Sequence, residues 1–245
     1  MIKIEETVTY GWEAAIRGMR NPKNSWDKSD SVWCFGRDND PPCKNCPCYE
    51  DEDDGCTTYC NNPDDLPAFV VGDNDMALMK TLGAAGTDHG KYLRMITVTA
   101  DVTAPLYWWK EYDTYKVGTV ANSCSTMHKI AAKEFTFDDF SIEQIVKGTT
   151  NCDPMYYAAF EGVLMALNEA RHCFLDTKDK TYWWQMIQLL PTSYNQKRTV
   201  QLNYAVLKNI YHARRNHKLT EWHTFCEWIE SLPYSDLIVV SIKLV

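Results

Sequence analysis

Residues 95–104 alternate without exception, with Ile96, Val98, Ala100 and Val102 on one side and Thr97, Thr99, Asp101 and Thr103 on the other. Successive side chains of an extended chain point to opposite faces, so this pattern predicts a half-buried strand with one polar face. Pro105 has no N–H to give a ladder and marks the strand's end. Upstream, 75–82 reads as a helix with Asp73 or Asn74 as its cap, and 83–90 as a turn-rich loop carrying His89. Downstream, 112–128 is polar and small with little hydrophobic period. A polar segment of this kind, beside a β-branched strand and an aromatic cluster, is where a site is expected.

The remaining chain adds helices around that strand. Strand 2–8 and helix 11–19 open it, and 140–147 reads as a short helix between Ser141 and Gly148. In 153–172, Tyr156, Phe160, Val163, Leu164 and Leu167 recur at helical spacing, with Pro154 in the first turn. Further helices are predicted at 181–190, stopped by Pro191, at 199–214 and at 219–232, and a strand at 237–244. This order implies an α/β (α+β) fold, a single sheet with packed helices, in one domain spanning 1–245. Trp26 reads as buried. Trp108, Trp109, Trp183 and Trp184 suit either a core or a ring-stacking surface.

Charge and cysteine are both concentrated. Residues 27–65 hold eleven acidic residues against Lys28, Arg37 and Lys44, which accounts for the whole net charge of −8. Without a basic stripe, general binding to nucleic-acid backbones is not expected. Six of the ten cysteines fall in the same stretch, an acidic insert at about 33–65. Cys43-x-x-Cys46 and Cys56-x-x-x-Cys60 approach zinc-ligand spacing, so a four-Cys zinc site stands beside disulfides or unbridged thiols as readings. No apolar run suits a membrane span or a leader peptide, which makes a cytoplasmic protein the expectation. No P-loop or G-x-G-x-x-G follows a strand.

At this point the residues resemble the flavin-dependent thymidylate synthases. That family carries a loop ending in NE-x-S-x-RY soon after an alternating strand that closes on Ala-Pro. Here Ala104-Pro105 closes the strand, the segment Asn122-Ser123-Cys124-Ser125-Thr126-Met127-His128 takes the motif's place, and Thr114-Tyr115-Lys116 takes that of its leading RHR. His89 sits where the family has a flavin-contacting His, with Lys91 at the neighbouring Thr. Leu190-Pro191, Asn203, Asn209 and Arg214 reproduce a later block without a gap, and Arg20 and Ser25 look like the family's opening. The likeness covers roughly 1–28, 66–130 and 181–232.

The resemblance implies a pyrimidine-nucleotide enzyme: reductive methylation of dUMP, or a related one-carbon step, with FAD, NADPH and methylenetetrahydrofolate, in a homotetramer. It implies cofactor contacts from His89, Lys91, Lys116, Asn122, Asn203 and Asn209. Glu111, Ser125 and Arg214 would meet the substrate, with Ser125 as the catalytic residue. The departures are specific. Thr114, Met127, Ile187 and Ala205 stand where the family has arginines, and Ser123 where it has Glu. Arg offers a fixed two-armed geometry that these residues do not replace. A catalytically inactive nucleotide-binding or interaction protein on the same scaffold is therefore the competing reading.

Bland readings stand beside these. Ser125 could bond only to its local backbone, His89 could be an exposed turn residue, and Arg214-Arg215 could serve a helix C-terminus. Read as one helix, 199–214 would place Asn203 and Arg214 on a common face.

Overall fold

The computed structural model describes residues 2–34, 49–50, 55–56, 68–146 and 153–239. Strand β1 (Lys3–Tyr10) leads into helix α1 (Trp12–Arg20). Three short strands follow, β2 (Val32–Cys34), β3 (Tyr49–Glu50) and β4 (Gly55–Cys56), and then β5 (Ala68–Val70) and α2 (Asp73–Ala84). Next come β6 (Thr97–Pro105), α3 (Leu106–Tyr112), β7 (Val120–Ser123), α4 (Thr126–Lys129) and α5 (Glu143–Val146). The chain continues with α6 (Asp153–Thr177), α7 (Lys180–Leu189), β8 (Asn195–Asn203), α8 (Tyr204–Arg214), α9 (Thr220–Glu230) and α10 (Asp236–Val239). The main sheet has the order β1-β6-β8-β7. This is the mixed fold expected, a sheet with packed helices. Among the described residues no helix is long and apolar enough to cross a membrane.

The chain divides into two compact units. The first comprises Met1–Val8, Thr99–Gln201 and Arg214–Trp228, the second Thr9–Val98, Leu202–Ala213 and Ile229–Val245.

In the first unit β6 behaves as its alternation dictates: Ala100, Val102 and Ala104 are buried, while Asp101 and Thr103 stay partly exposed. Pro105 ends the strand and opens α3, whose first free N–H groups are met by loop carbonyls, Leu106 N to Tyr194 O and Tyr107 N to Thr192 O, both at 3.0 Å. Helix α3 buries Trp108 and Tyr112 against Trp222 and Phe225, with Trp108 and Trp222 ring centroids 4.8 Å apart, and buries Trp109 beneath the Arg198 guanidinium, 4.2 Å from the ring centroid. Trp108 and Trp109 are therefore core. A second core forms where α6 and α7 meet, around Phe160, Leu167, Ala170 and Met186. Trp183 is half-buried and donates to the Met127 carbonyl at 3.1 Å, while Trp184 is exposed.

In the second unit α1 buries Trp12, Ala15, Ile16, Met19 and Arg20, the i, i+3, i+4, i+7, i+8 stripe of an amphipathic helix. Gly11 precedes it with φ 89°, and a Cβ there would come within 2.1 Å of Met95 O, so only glycine fits. Arg20 and Asp75 form a buried pair: Arg20 Nε donates to Asp75 Oδ1 at 2.6 Å, and the hydroxyls of Ser29 and Ser31 donate to Oδ2 at 2.6 Å each. Burial alone would raise the Asp75 pKa, but the two hydroxyls and the guanidinium outweigh it and hold the carboxyl below its ordinary value. Asp30 caps α2 from outside, accepting from Asn74 N at 2.8 Å and Asp75 N at 3.1 Å.

Strands β2 and β5 pair antiparallel, with Cys34 opposite Ala68, so the chain leaves for the insert and returns at neighbouring points. The zinc expectation falls on Cys43, Cys46 and Cys60, which lie outside the described residues, and on Cys56, described by its backbone alone.

Three expectations are corrected. Helix 199–214 starts only at Tyr204, because 199–203 belong to β8. Residues 237–239, read as strand, form the helical turn α10 with Leu237 and Ile238 buried. Trp26 is 50% exposed, its Nε1 donating to Asn21 Oδ1 at 2.8 Å.

Candidate functional site

Two polar groupings in the first unit gather residues singled out by the sequence. The first is built on Glu111, at the end of α3, and Arg214, at the end of α8, 103 positions apart. Arg214 Nη1 donates to Glu111 Oε2 at 2.7 Å and its Nε to Tyr115 Oη at 2.8 Å. The guanidinium lies 4.8 Å from the Trp222 ring centroid, within cation–π range. Glu111 Oε2 also accepts from Trp222 Nε1 at 3.1 Å and faces His217 Nε2 at 3.3 Å. Leu219 N–H donates to His217 Nδ1 at 3.2 Å, so the neutral ring carries its proton on Nε2, toward Glu111. The side chains of Arg214 and Glu111 keep 19% and 34% of their surface exposed. Two of the three residues assigned to substrate, Glu111 and Arg214, are thus brought together, each as the other's partner.

The second grouping surrounds Ser125. Antiparallel pairing of β7 with β8 sets Asn122 opposite Thr199 and Ser123 opposite Arg198, and Cys124 N continues the ladder to Lys197 O at 2.9 Å. The chain then turns into α4, with Ser125 as its cap, Oγ accepting from His128 N at 3.1 Å. That is the local bond of the bland reading, and it leaves the hydroxyl proton free to donate. Ser125 borders a cavity of about 460 Å³ whose cations are Lys129, Lys133 and Lys197. Lys133 is bonded to Asp139, and Lys197 pairs with Asp101 at 2.9 Å. The bond from Thr199 and then that from Lys197 pull the Asp101 pKa down, and the bond to Asp101 raises that of Lys197.

Several donors of this cavity remain uncommitted. Lys129 has no ion pair and Tyr194 Oη no hydrogen bond among the described residues. Burial raises the Tyr194 pKa and keeps the phenol a neutral donor. Asn195 Oδ1 accepts from Ser141 Oγ at 2.8 Å, which leaves its NH₂ for an acceptor. Gln196 is locked, donating to Cys124 O at 2.8 Å and accepting from Arg198 Nε at 3.0 Å. An arrangement of ammonium, hydroxyl and amide donors suits an anionic, carbonyl-bearing ligand.

The other expected site residues are placed as follows. Lys116 and Asn122 are exposed in the first unit. In the second unit His89 and Lys91 are exposed on a 3₁₀ turn, Lys91 standing 3.7 Å from Asp88, and Asn209 is exposed on α8. Asn203 closes β8 and caps α8, its Oδ1 accepting from Val206 N at 3.0 Å, so it does not share a helix face with Arg214. Arg20 is consumed by Asp75. Sequence reasoning passed over Lys129, Lys133, Tyr194, Asn195 and Lys197. The alternation of Gln196, Val200 and Leu202 with Lys197, Thr199 and Gln201 was the available signal for the strand carrying the last two.

No known family model matches the sequence, and no curated protein matches it. Solved structures do match in fold. Thymidylate synthase X from Helicobacter pylori, with FAD and dUMP, superposes with a TM-score of 0.61 at 12% identity, covering 98% of each chain. A second structure of that flavin-dependent enzyme from H. pylori, complexed with FAD and dUMP, gives a TM-score of 0.61 at 13% identity, covering 97% of this chain and 98% of the other. At these identities the likeness establishes the fold: this chain has the architecture of the flavin-dependent thymidylate synthases over nearly its whole length.

Proposed function

We infer that the chain is a pyrimidine-nucleotide enzyme whose nucleotide occupies the cavity beside Ser125. The observation that carries this reading is the uncommitted donor set there, Lys129, Tyr194 Oη, Asn195 NH₂ and the Ser125 hydroxyl. An ammonium suits a phosphate, and neutral hydroxyl and amide donors suit the carbonyl oxygens of a pyrimidine. The fold supports it, since the H. pylori structures that share it hold dUMP and FAD. Ser125 acts as a donor to the bound nucleotide and Arg214 as a second anion contact through the guanidinium arm that Glu111 leaves open.

FAD is the cofactor the fold family implies, and the chemistry of the donor set fits it. His89, Lys116, Asn122 and Asn209 are exposed and make no side-chain bond among the described residues. In the first unit Lys116 and Asn122 supply an ammonium and a carboxamide, and in the second His89, Lys91 and Asn209 supply an imidazole, an ammonium and a carboxamide, groups that suit a pyrophosphate or a ring edge rich in carbonyls. Side chains of this kind would hold the cofactor, which supplies the hydride chemistry of a reductive methylation. NADPH and methylenetetrahydrofolate complete that reaction as co-substrates, in a homotetramer.

The test is reconstitution with excess FAD followed by dUMP titration. Bound flavin absorbance and a rise in melting temperature with each ligand are expected. Absence of both removes the reading. A second reading, binding without turnover, is favoured by the engagement of Arg214 with Glu111 and Tyr115. Nucleotide and flavin binding without methyl transfer would select it.

A further inference from the structure

The first unit holds another cavity, of about 610 Å³, against the one beside Ser125. The two share Thr103, Asp138 and Asn195 in their walls, so they adjoin there. Their characters differ. One is ringed by lysines. The other is walled by Phe137, Phe140, Ile142 and Tyr157, with the Phe137 and Tyr157 rings nearly parallel, 5.5 Å between centroids. Lys3 in its wall is held by Glu5 at 2.7 Å, and Asp138 and Glu143 are also among its lining residues. An elongated ligand spanning both would put its anionic end among the lysines and a flat ring against the aromatic wall.

Asp138 stands at the junction. It lies in a 3₁₀ turn (Phe137–Asp139) fixed by a capping box in which Thr136 N donates to Asp139 Oδ2 at 2.9 Å. Lys133 is bound to Asp139, and Asp138 has no ion pair among the described residues. Its ionised carboxylate offers only acceptors. Pyrimidines differ at the edge such a group would read, since cytosine presents an exocyclic amine where uracil presents a carbonyl. Asp accepting from the cytosine amine is a favourable pairing, whereas a carboxylate facing a carbonyl sets acceptor against acceptor. Asn195 NH₂, left free by the bond to Ser141, matches the ring carbonyl that both bases carry.

We propose that this chain selects a cytosine nucleotide over a uracil nucleotide, with Asp138 as the residue that reads the exocyclic amine, a specificity that presupposes the nucleotide reading above. Titration calorimetry with dCMP, dUMP, CMP and UMP, with and without added FAD, tests it. The cytosine nucleotides are expected to bind about tenfold tighter than their uracil counterparts, in line with a single specific base contact. Asp138→Asn, whose carboxamide offers donor or acceptor, brings the ratio to within about twofold, and Asp138→Ala does the same. Lys129→Ala weakens both bases by a similar factor and keeps the ratio. Equal affinities, a uracil preference, or a cytosine preference that survives in both Asp138 variants overturns the proposal while nucleotide binding stands. Absence of binding by all four nucleotides under both conditions overturns the nucleotide reading with it.

Discussion

Arg20 and Arg214 each meet a carboxylate at nearly the same distance, 2.6 Å for Arg20–Asp75 and 2.7 Å for Arg214–Glu111, yet the two pairs are built for different purposes. The first is closed. Its side chains are 5% and 0% exposed, and Asp75 accepts from Arg20, from two serine hydroxyls and from Ser31 N, the last at 3.3 Å. The second is open. Its side chains keep 19% and 34% of their surface, and one guanidinium arm has no partner among the described residues. The same chemistry thus serves as a structural clasp where the carboxylate is buried and met by donors on both oxygens, and as a candidate contact where the pair keeps part of its surface. The first unit shows the open pattern again beside Ser125, where Lys129, Tyr194 and Asn195 hold donors in reserve.

The largest effect should come from breaking the closed pair. Asp75→Ala strands a guanidinium inside the second unit and should cost about 3–5 kcal/mol, as uncompensated buried charges do. Denaturant unfolding measures it. Acid should act in the same direction. The Asp75 carboxyl is held below its ordinary value of 3.8, so its contribution is fully present above about pH 4 and is lost as pH falls through the lower folded value. Stability measured between pH 5 and 2 should fall more steeply in the wild type than in Asp75→Asn. Parallel curves would mean that Asp75 is not the group responsible.

The open pair should cost less. Arg214→Ala leaves Glu111 with Trp222 and His217 as donors and enough exposure to recruit water, so a loss of about 1–2 kcal/mol is expected. Arg214→Lys keeps the charge but cannot reach Glu111 and Tyr115 together, and should recover only part. If Arg214 also contacts ligand, nucleotide affinity falls about tenfold in the alanine variant. Unchanged affinity would make the open pair as purely structural as the closed one.

Lys129→Ala should touch binding alone. The residue is exposed and has no ion pair among the described residues, so the melting temperature should hold. Pyrimidine-nucleotide affinity should drop five- to tenfold, the loss of one charge-assisted phosphate contact made by a mobile ammonium. An unaltered titration would move the anion away from the lysine cavity.

Much of the scaffold was legible because local periods agreed with tertiary packing. The period-two run before Pro105 became β6 and the helical stripe at Trp12–Arg20 became α1. Strand β8 was hidden by coincidence. Val200, Tyr204, Leu207 and Tyr211 fall four, three and four residues apart, a helical rhythm that runs across the strand–helix junction. Strand β7 left no trace, since all four of its residues are exposed and carry no alternation. The short apolar run at 237–239 suits strand or helix equally, and packing of Leu237 and Ile238 chose the helix. Of the site, resemblance pointed to Ser125, Glu111 and Arg214. The bonds that fix them link residues up to 111 positions apart, and no local pattern encodes such pairings.

Ser125 should give the smallest change in stability and the sharpest division between the two patterns. Its Oγ accepts from His128 N, a spent contact, while its proton is free to donate into the cavity. Removing the cap of a four-residue exposed helix costs roughly 0.5–1 kcal/mol, so Ser125→Ala should unfold only slightly earlier. Ser125→Asp separates the two roles, because a carboxylate caps as well as a hydroxyl but has no proton to give. A serine that only caps predicts wild-type stability for Ser125→Asp, with nucleotide affinity changed no more than its added charge beside Lys129 allows. A serine that also donates to the nucleotide predicts wild-type stability joined to a loss of affinity at least as large as in Ser125→Ala, and recovery of both in Ser125→Thr. Affinity equal to wild type in both Ser125→Ala and Ser125→Asp would place this hydroxyl with Asp75 among the groups already spent on the fold.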